Sequence, residues 1–210
     1  MGGVAPPWPS PTSSDRHHLL ISVRLSQLAS IAPSPLACHS EPGGRCCAVS
    51  AHKAIISWKR TSPDFLTGRY SREHSWTFDG GITVPASPSP SVVPVPYSNP
   101  AYVDPEEAFV AAVSSCHMLT YLHLASRQGF QVDSYQDEAF GEMAKNEKGI
   151  PWVSSIKLNP KIAYSGEKLP TAADEQRLHH LAHEQCYISN SIKTEVTVGV
   201  GHSTWASSAP

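Results

Sequence analysis

Two cysteines carry the chemistry this sequence could do. Cys116 sits in the run VAAVSSCHMLTYLHLA (110–125), and Cys186 closes LHHLAHEQC (178–186). Two readings of Cys116 stay open on the residues alone. A free cysteine often behaves as a small core hydrophobe, and it acts as a nucleophile only as a thiolate. A thiol with a pKa near 8.5 is only about 3% ionised at pH 7, and apolar surroundings lower that fraction further. A reactive Cys116 therefore needs a neighbour that favours its charge. Full ionisation would gain only about 30-fold, so positioning the substrate and stabilising its departing oxygen must supply most of any acceleration. The two cysteines are seventy positions apart, and spacing alone does not bring them together.

The other candidates surround these two. Glu106 precedes Cys116 by ten residues. An unbroken helix separates such positions by about 15 Å and turns them to different faces. Glu106 is thus an acid at the positive end of a helix, or serves Cys116 where the helix breaks or through a cation from elsewhere, a second subunit included. His117 points about 100° away from Cys116, and His123 shares its face. His179, His183 and Cys186 have spacing that a metal could use, but no Glu stands between two His as in a metalloprotease, and neither a metal nor a cofactor is expected. Neither a glycine-rich phosphate loop nor a Gly-x-Ser-x-Gly elbow occurs.

The elements that position these residues begin near His52. KAIISWK (53–59) and EHSWTFDGG (73–81) read as strands, and the proline-rich 82–103 as an extended loop or sheet edge. Residues 104–129 form the clearest helix: Asp104 caps it, Pro105 takes its first position, acids follow, and Gly129 stops it. It is apolar nearly all round until Ser126, the mark of a buried central helix covered by sheet on more than one side. FQVDSYQDEAFGEM (130–143) and PWVSSIKLNPKIAYS (151–165) read as extended, the second as one long strand or a strand with a bulge, with AKNEKG as the hairpin loop between them. Thr171 and Asp174 open a second, amphipathic helix (171–186), and KTEVTVGV (193–200) alternates as a last strand. The order predicts an α+β domain over 52–200. A helix this apolar in so small a subunit predicts a homodimer that shares the core.

The chain has 210 residues, with 16 Lys+Arg against 18 Asp+Glu and 40% hydrophobic residues. This balance offers no basic surface to nucleic acid, and the runs of unbroken apolar sequence fall short of the roughly 18 residues that span a bilayer. Five scattered cysteines, Cys38, Cys46 and Cys47 among them, do not make a secreted disulfide framework. They fit a reducing compartment such as the cytoplasm, with at most one functional pair. Residues 1–51 are rich in Pro, Ser and Gly and read as a disordered leader or a transit-like extension that would direct organelle import. Residues 201–210 read as a loose tail.

The run DPEEAFVAAVSSCHML together with HHLAHEQCYISNSIKTEV resembles the two signature segments of the OsmC/Ohr family, the osmotically inducible and organic-hydroperoxide-resistance proteins. The resemblance extends over roughly 53–200 and includes Gly129 and Phe130 after the first helix. It implies an OsmC-like fold, an antiparallel sheet wrapped around a long buried central helix in an intertwined homodimer. It also implies a thiol peroxidase of oxidative-stress defence, acting on organic hydroperoxides and more weakly on hydrogen peroxide. By the resemblance Cys116 is peroxidatic, Cys186 resolving, and Glu106 the family's acid, while a dithiol such as a lipoylated protein is the reductant. The family's Arg has no counterpart in 80–103, which contains neither Arg nor Lys, and Arg69 and Arg72 are the nearest candidates. Without that Arg the alternative is a non-catalytic relative that binds an apolar ligand.

Overall fold

The protein was analysed as a computed structural model describing residues 51–199 and the backbone of Thr204–Trp205. Residues 1–50, with Cys38, Cys46 and Cys47, lie outside the described residues, as does the rest of the segment read as a tail.

The first sheet is antiparallel in the order β1 (Ala54–Ser57), β2 (His74–Phe78), β3 (Thr83–Ala86). A 3-10 turn at Pro63–Thr67, capped by the Ser62 hydroxyl, joins the first two strands. Strand β3 is the edge expected in the proline-rich segment, where Pro85 is tolerated because an edge strand need not donate on both sides.

Helix α1 (Pro105–Arg127) begins where the sequence predicts. The Asp104 carboxylate accepts the Glu107 amide at 2.7 Å, and the Glu107 side chain accepts the Asp104 amide at 3.3 Å, a reciprocal capping box. Asp104→Ala is therefore expected to cost about 1 kcal/mol of stability. Urea unfolding measures it, and a change below a few tenths would show that the cap is not needed. The helix ends on Gly129 at φ +79°, which lets the Phe130 amide turn back to the Ala125 carbonyl at 3.0 Å.

The extended segments that follow differ from the expected two strands. Each is broken in two: β4 (Gln131–Asp137) and β5 (Phe140–Lys145), then β6 (Pro151–Leu158) and β7 (Pro160–Ser165). The long hairpin bends at a corner, so that β4 pairs with β7 in one sheet and β5 with β6 in another. Asp137 makes that corner: its carboxylate accepts the Asn159 amide at 2.6 Å and the Ser114 hydroxyl of α1. The corner is thus bolted to the helix. Strand β5 approaches α1 so closely that a Cβ on Gly141 would lie 2.6 Å from a Val110 methyl.

Helix α2 (Ala172–Gln185) starts on a Thr171/Asp174 capping box as predicted. Strands β8 (Glu195–Val198) and β9 (Thr204–Trp205) then add in parallel to β6 and β7, so the second and third sheets are mixed rather than wholly antiparallel. The β9 pairing falls within the segment read as a loose tail.

Two apolar clusters flank the middle of α1. One joins Tyr121 and Ala125 to Phe130, Ile162, Tyr164, Leu178 and Ala182; the other joins Val113 to Ile156 and Leu158, with Ile188 and Val196 against it. The buried residues of α1 are Val113, His117, Tyr121 and Ala125, a single stripe at intervals of four. Within the described residues of one chain that cover is one-sided: the opposite face of α1, with Ala111, Ser115 and Leu119, is open, and Leu119 is 61% exposed. α1 is also long and apolar enough, at a mean hydropathy of 1.3, to meet the composition of a membrane span, which the reading of unbroken apolar runs did not register. Its buried stripe against α2 and the sheets marks it instead as a core helix.

Candidate active site

Cys116 occupies the gap between the two apolar clusters, one turn after Val113 on α1. Cys186 is the residue at which α2 leaves helical geometry, at ψ 117°. Packing of α2 on α1 brings the two thiols into hydrogen-bond contact. Both are free, Cys116 half-buried and Cys186 with no exposed surface. The structure thus unites the two residues that the sequence leaves seventy positions apart.

The turn after Cys186 holds the pair. The Asn190 side-chain amide donates to the Glu184 carbonyl at 2.8 Å and the Cys186 carbonyl at 3.0 Å, and the Asn190 backbone amide also reaches the latter. Tied in this way, the turn aims its own amides at sulfur. The Ser189 N–H donates to Cys186 Sγ at 3.5 Å, and the buried Ser189 hydroxyl lies against the same sulfur. The amides of Ile188 and Tyr187 serve Cys116. Converging N–H groups of this kind favour negative charge.

The two thiols respond differently. Burial pushes the Cys116 thiol up, the neighbouring Cys186 pushes it further, and the Ile188 and Tyr187 amides only partly oppose them. Burial also acts upward on Cys186, but the hydrogen bonds from Cys116, from Ser189 and from the Ile188 amide outweigh it, and its thiol is lowered. The hydrogen bonds of the turn thus favour charge on Cys186 more than on Cys116. None of the groups acting on Cys116 is a cation.

The remaining candidates lie elsewhere in the chain. α1 is unbroken, so Glu106 stays in the first turn, where with Asp104, Glu107, Val110 and Ser114 it lines a 630 Å³ cavity that neither cysteine borders. Arg72 is spent locally: its guanidinium donates to the Tyr70 carbonyl at 2.9 Å and the Gly68 carbonyl at 3.3 Å, and it stacks over the Tyr70 ring. Arg69 is exposed, and its carbonyl accepts from the Ser62 hydroxyl. His123 is exposed and makes no contact with the thiols.

Sequence reasoning missed what His117 does. It lies buried beside Cys116, its Nε2 3.0 Å from Nδ1 of His179, with the rings stacked. Burial pushes His117 down to about 4, with His183 adding to the effect and Asp137 opposing it. Burial and His117 push His179 down to about 3. Both imidazoles are neutral at ordinary pH, one donating and the other accepting. The available signal was that His117 and His179 each fall on the apolar face of their own helix. Among the described residues no group of three or more His, Cys, Asp or Glu is arranged to hold a metal.

Fold and site define a class: an α+β protein whose central helix and second helix present one thiol each to the other. The family model described as OsmC-like protein matches residues 98–201. A structure of an OsmC-like protein of unknown function from Vibrio cholerae is 51% identical, with a TM-score of 0.70 over 72% of this chain and 99% of that one. An organic hydroperoxide resistance protein from Elizabethkingia anophelis, crystallised with thiocyanate bound, has a TM-score of 0.55 at 17% identity over 77% of this chain and 99% of that one. An OsmC-like protein from Mycoplasma pneumoniae has 0.54 at 11% over 75% and 98%. These last two bear on the fold alone. A search among curated proteins gave no match. The chain belongs to the OsmC-like family, as the two cysteine segments led us to expect.

Proposed function

We propose that this protein is a thiol-dependent peroxidase that reduces organic hydroperoxides, and more weakly hydrogen peroxide, in oxidative-stress defence in a reducing compartment such as the cytoplasm. The observation that carries the reading is the contact of two free thiols, supplied by different helices and cradled by the amides of 187–189. Cys116 is the attacking residue because it is the one with exposed surface. Its proton passes along the existing hydrogen bond to Cys186, and its thiolate attacks the distal peroxide oxygen. The O–O bond breaks, the alkoxide takes the proton from Cys186 and leaves as alcohol, and Cys116 becomes a sulfenic acid. The Cys186 thiolate so restored displaces hydroxide from that sulfur, and the hydroxide takes a proton from solvent, giving a disulfide and water. A dithiol of the lipoyl type then restores both thiols.

The working unit in this reading is a homodimer. The described residues of one chain leave a face of α1 open, and Ile55, Ile56 and Phe78 of sheet β1–β3 and Ile82 of the β2–β3 turn are exposed. A second copy would cover these faces. It would also bring Cys116 the cation that the described residues of its own chain do not supply, from Arg69, or from Arg72 once it exchanges its contacts with the Tyr70 and Gly68 carbonyls, with Glu106 acting through that cation. Sedimentation is expected to give twice the 22.7 kDa of one chain. The function is tested by following cumene hydroperoxide with dihydrolipoamide as the electron source. Turnover is expected, and its absence in fully reduced protein would sink the peroxidase reading.

The second reading, an apolar-ligand protein with unreactive thiols, draws on the 630 Å³ cavity lined by Val110, Met118, Phe140 and Met143, which lies apart from the cysteines. It would gain from a failed turnover assay joined to ligand binding that Phe140→Ala weakens.

A further inference from the structure

The two sulfurs of the reactive pair are not equivalent, and this asymmetry bears on how the oxidised protein is reduced. Cys186 has no exposed surface, while Cys116 retains some at the middle of a rigid helix. Thiol–disulfide exchange needs an incoming thiolate to approach one sulfur as the other departs. The departing sulfur carries away the electron pair, so exchange goes fastest when that sulfur is the one best able to bear charge. Here access and charge stabilisation select the same direction. The Ser189 N–H at 3.5 Å and the adjoining hydroxyl stand ready to receive charge on Cys186, in a turn that Asn190 fixes at both the Glu184 and Cys186 carbonyls. Cys186 lies at the negative end of α2, which by itself disfavours a thiolate. The amides of the following turn point the other way and act at closer range, and the lowered Cys186 thiol is their net result.

We propose that the reducing dithiol attacks the Cys116 sulfur and expels Cys186, so that the mixed disulfide forms on Cys116. One thiolate of the reductant bonds to Cys116 Sγ as the Cys116–Cys186 bond breaks and its electron pair leaves on Cys186. The reductant's second thiol gives up its proton to the Cys186 thiolate and attacks the reductant's own first sulfur. Cys116 leaves as a thiolate, takes a proton from solvent, and the reductant departs as a disulfide. Two electrons have passed to the protein pair. The residue that meets the peroxide and the residue that meets the reductant are then the same.

This inference deepens the proposed peroxidase cycle, and its test is independent of that cycle because the disulfide is made with diamide rather than peroxide. Full-length oxidised protein is mixed briefly with 2-mercaptoethanol, quenched in acid, and its free thiols are alkylated. Trypsin places Cys116 and Cys186 in separate peptides, Cys38, Cys46 and Cys47 in others, so mass spectrometry reads which cysteine carries the mercaptoethanol. At least about tenfold more adduct on Cys116 than on Cys186 is expected, falling to within about twofold when the exchange is run in urea. Equal labelling in the folded protein, a majority on Cys186, the same preference in urea, or failure of diamide to link the two cysteines would each overturn it. A protein that shows the Cys116 preference but no peroxide turnover would retain this inference and lose the peroxidase.

Discussion

Cys116→Ser is expected to abolish peroxide-driven oxidation of dihydrolipoamide, a fall of at least about 10³-fold, whereas Cys186→Ser, with no thiol reductant added, is expected to reduce one peroxide per chain and then stop at the sulfenic acid. The difference follows from the exposures. Cys116 has surface through which a hydroperoxide can reach it, and a serine hydroxyl there is far too weak an acid to supply a nucleophile. In Cys186→Ser the first step still has its sulfur, although the proton acceptor is lost, so the single turnover is also slowed. With no reductant added, the sulfenic acid then has no thiol to condense with. It is expected to react with dimedone and, with excess peroxide, to advance to the sulfinic acid. Intact-mass spectrometry distinguishes the products. A Cys116→Ser protein that still turns over, or a Cys186→Ser protein with wild-type steady-state rates, would remove the two-cysteine cycle.

What could be read from the sequence, and what could not, divides by range. The helix limits were legible because the signals are local: Asp104, Pro105 and Glu107 act within one turn, as do Thr171 and Asp174. The corner that splits the long hairpin was not. It depends on one carboxylate, Asp137, meeting Asn159 and Ser114, each more than twenty residues away, and the extended pattern on either side gives no sign of the break. The cysteine pair was found by its family-like setting rather than by spacing. The turn that favours sulfur charge was invisible, since backbone amides have no sequence signature beyond Asn190, whose side chain ties the turn. The search for a cation therefore looked for Arg, while the nearest stabilising groups within the chain are N–H groups of 187–189. The 15 Å separation that the helix imposes between Glu106 and Cys116 was legible and holds.

The buried His117–His179 pair is expected to make this fold lose stability in acid. Both imidazoles are held below their ordinary value of 6.5, to about 4 and about 3, chiefly by burial. Above pH 6.5 folded and unfolded chains are alike neutral at these positions, and the pair has no effect on the pH dependence. As pH falls below 6.5 the unfolded chain takes up protons that the folded chain refuses. Stability then declines by up to about 1.4 kcal/mol per pH unit for each histidine, until the folded groups themselves titrate. By pH 4 the two groups together remove up to about 7 kcal/mol, which reaches the lower end of the roughly 5–15 kcal/mol that ordinary domains possess. Protonating His117 would place a charge between the Val113 and Tyr121 turns of α1, with Asp137 acting in its favour and His183 against it. Because His117 adjoins Cys116 on α1, and His179 shares α2 with Cys186, the thiol pair should separate in the same transition. Urea midpoints at pH 7.5, 6 and 5 are expected to fall progressively. The double variant His117→Leu/His179→Leu, which removes both partners and leaves neither polar group unpaired, should flatten most of that slope while losing little stability at pH 7.5. An equal slope in the variant would show that other groups govern the acid limit.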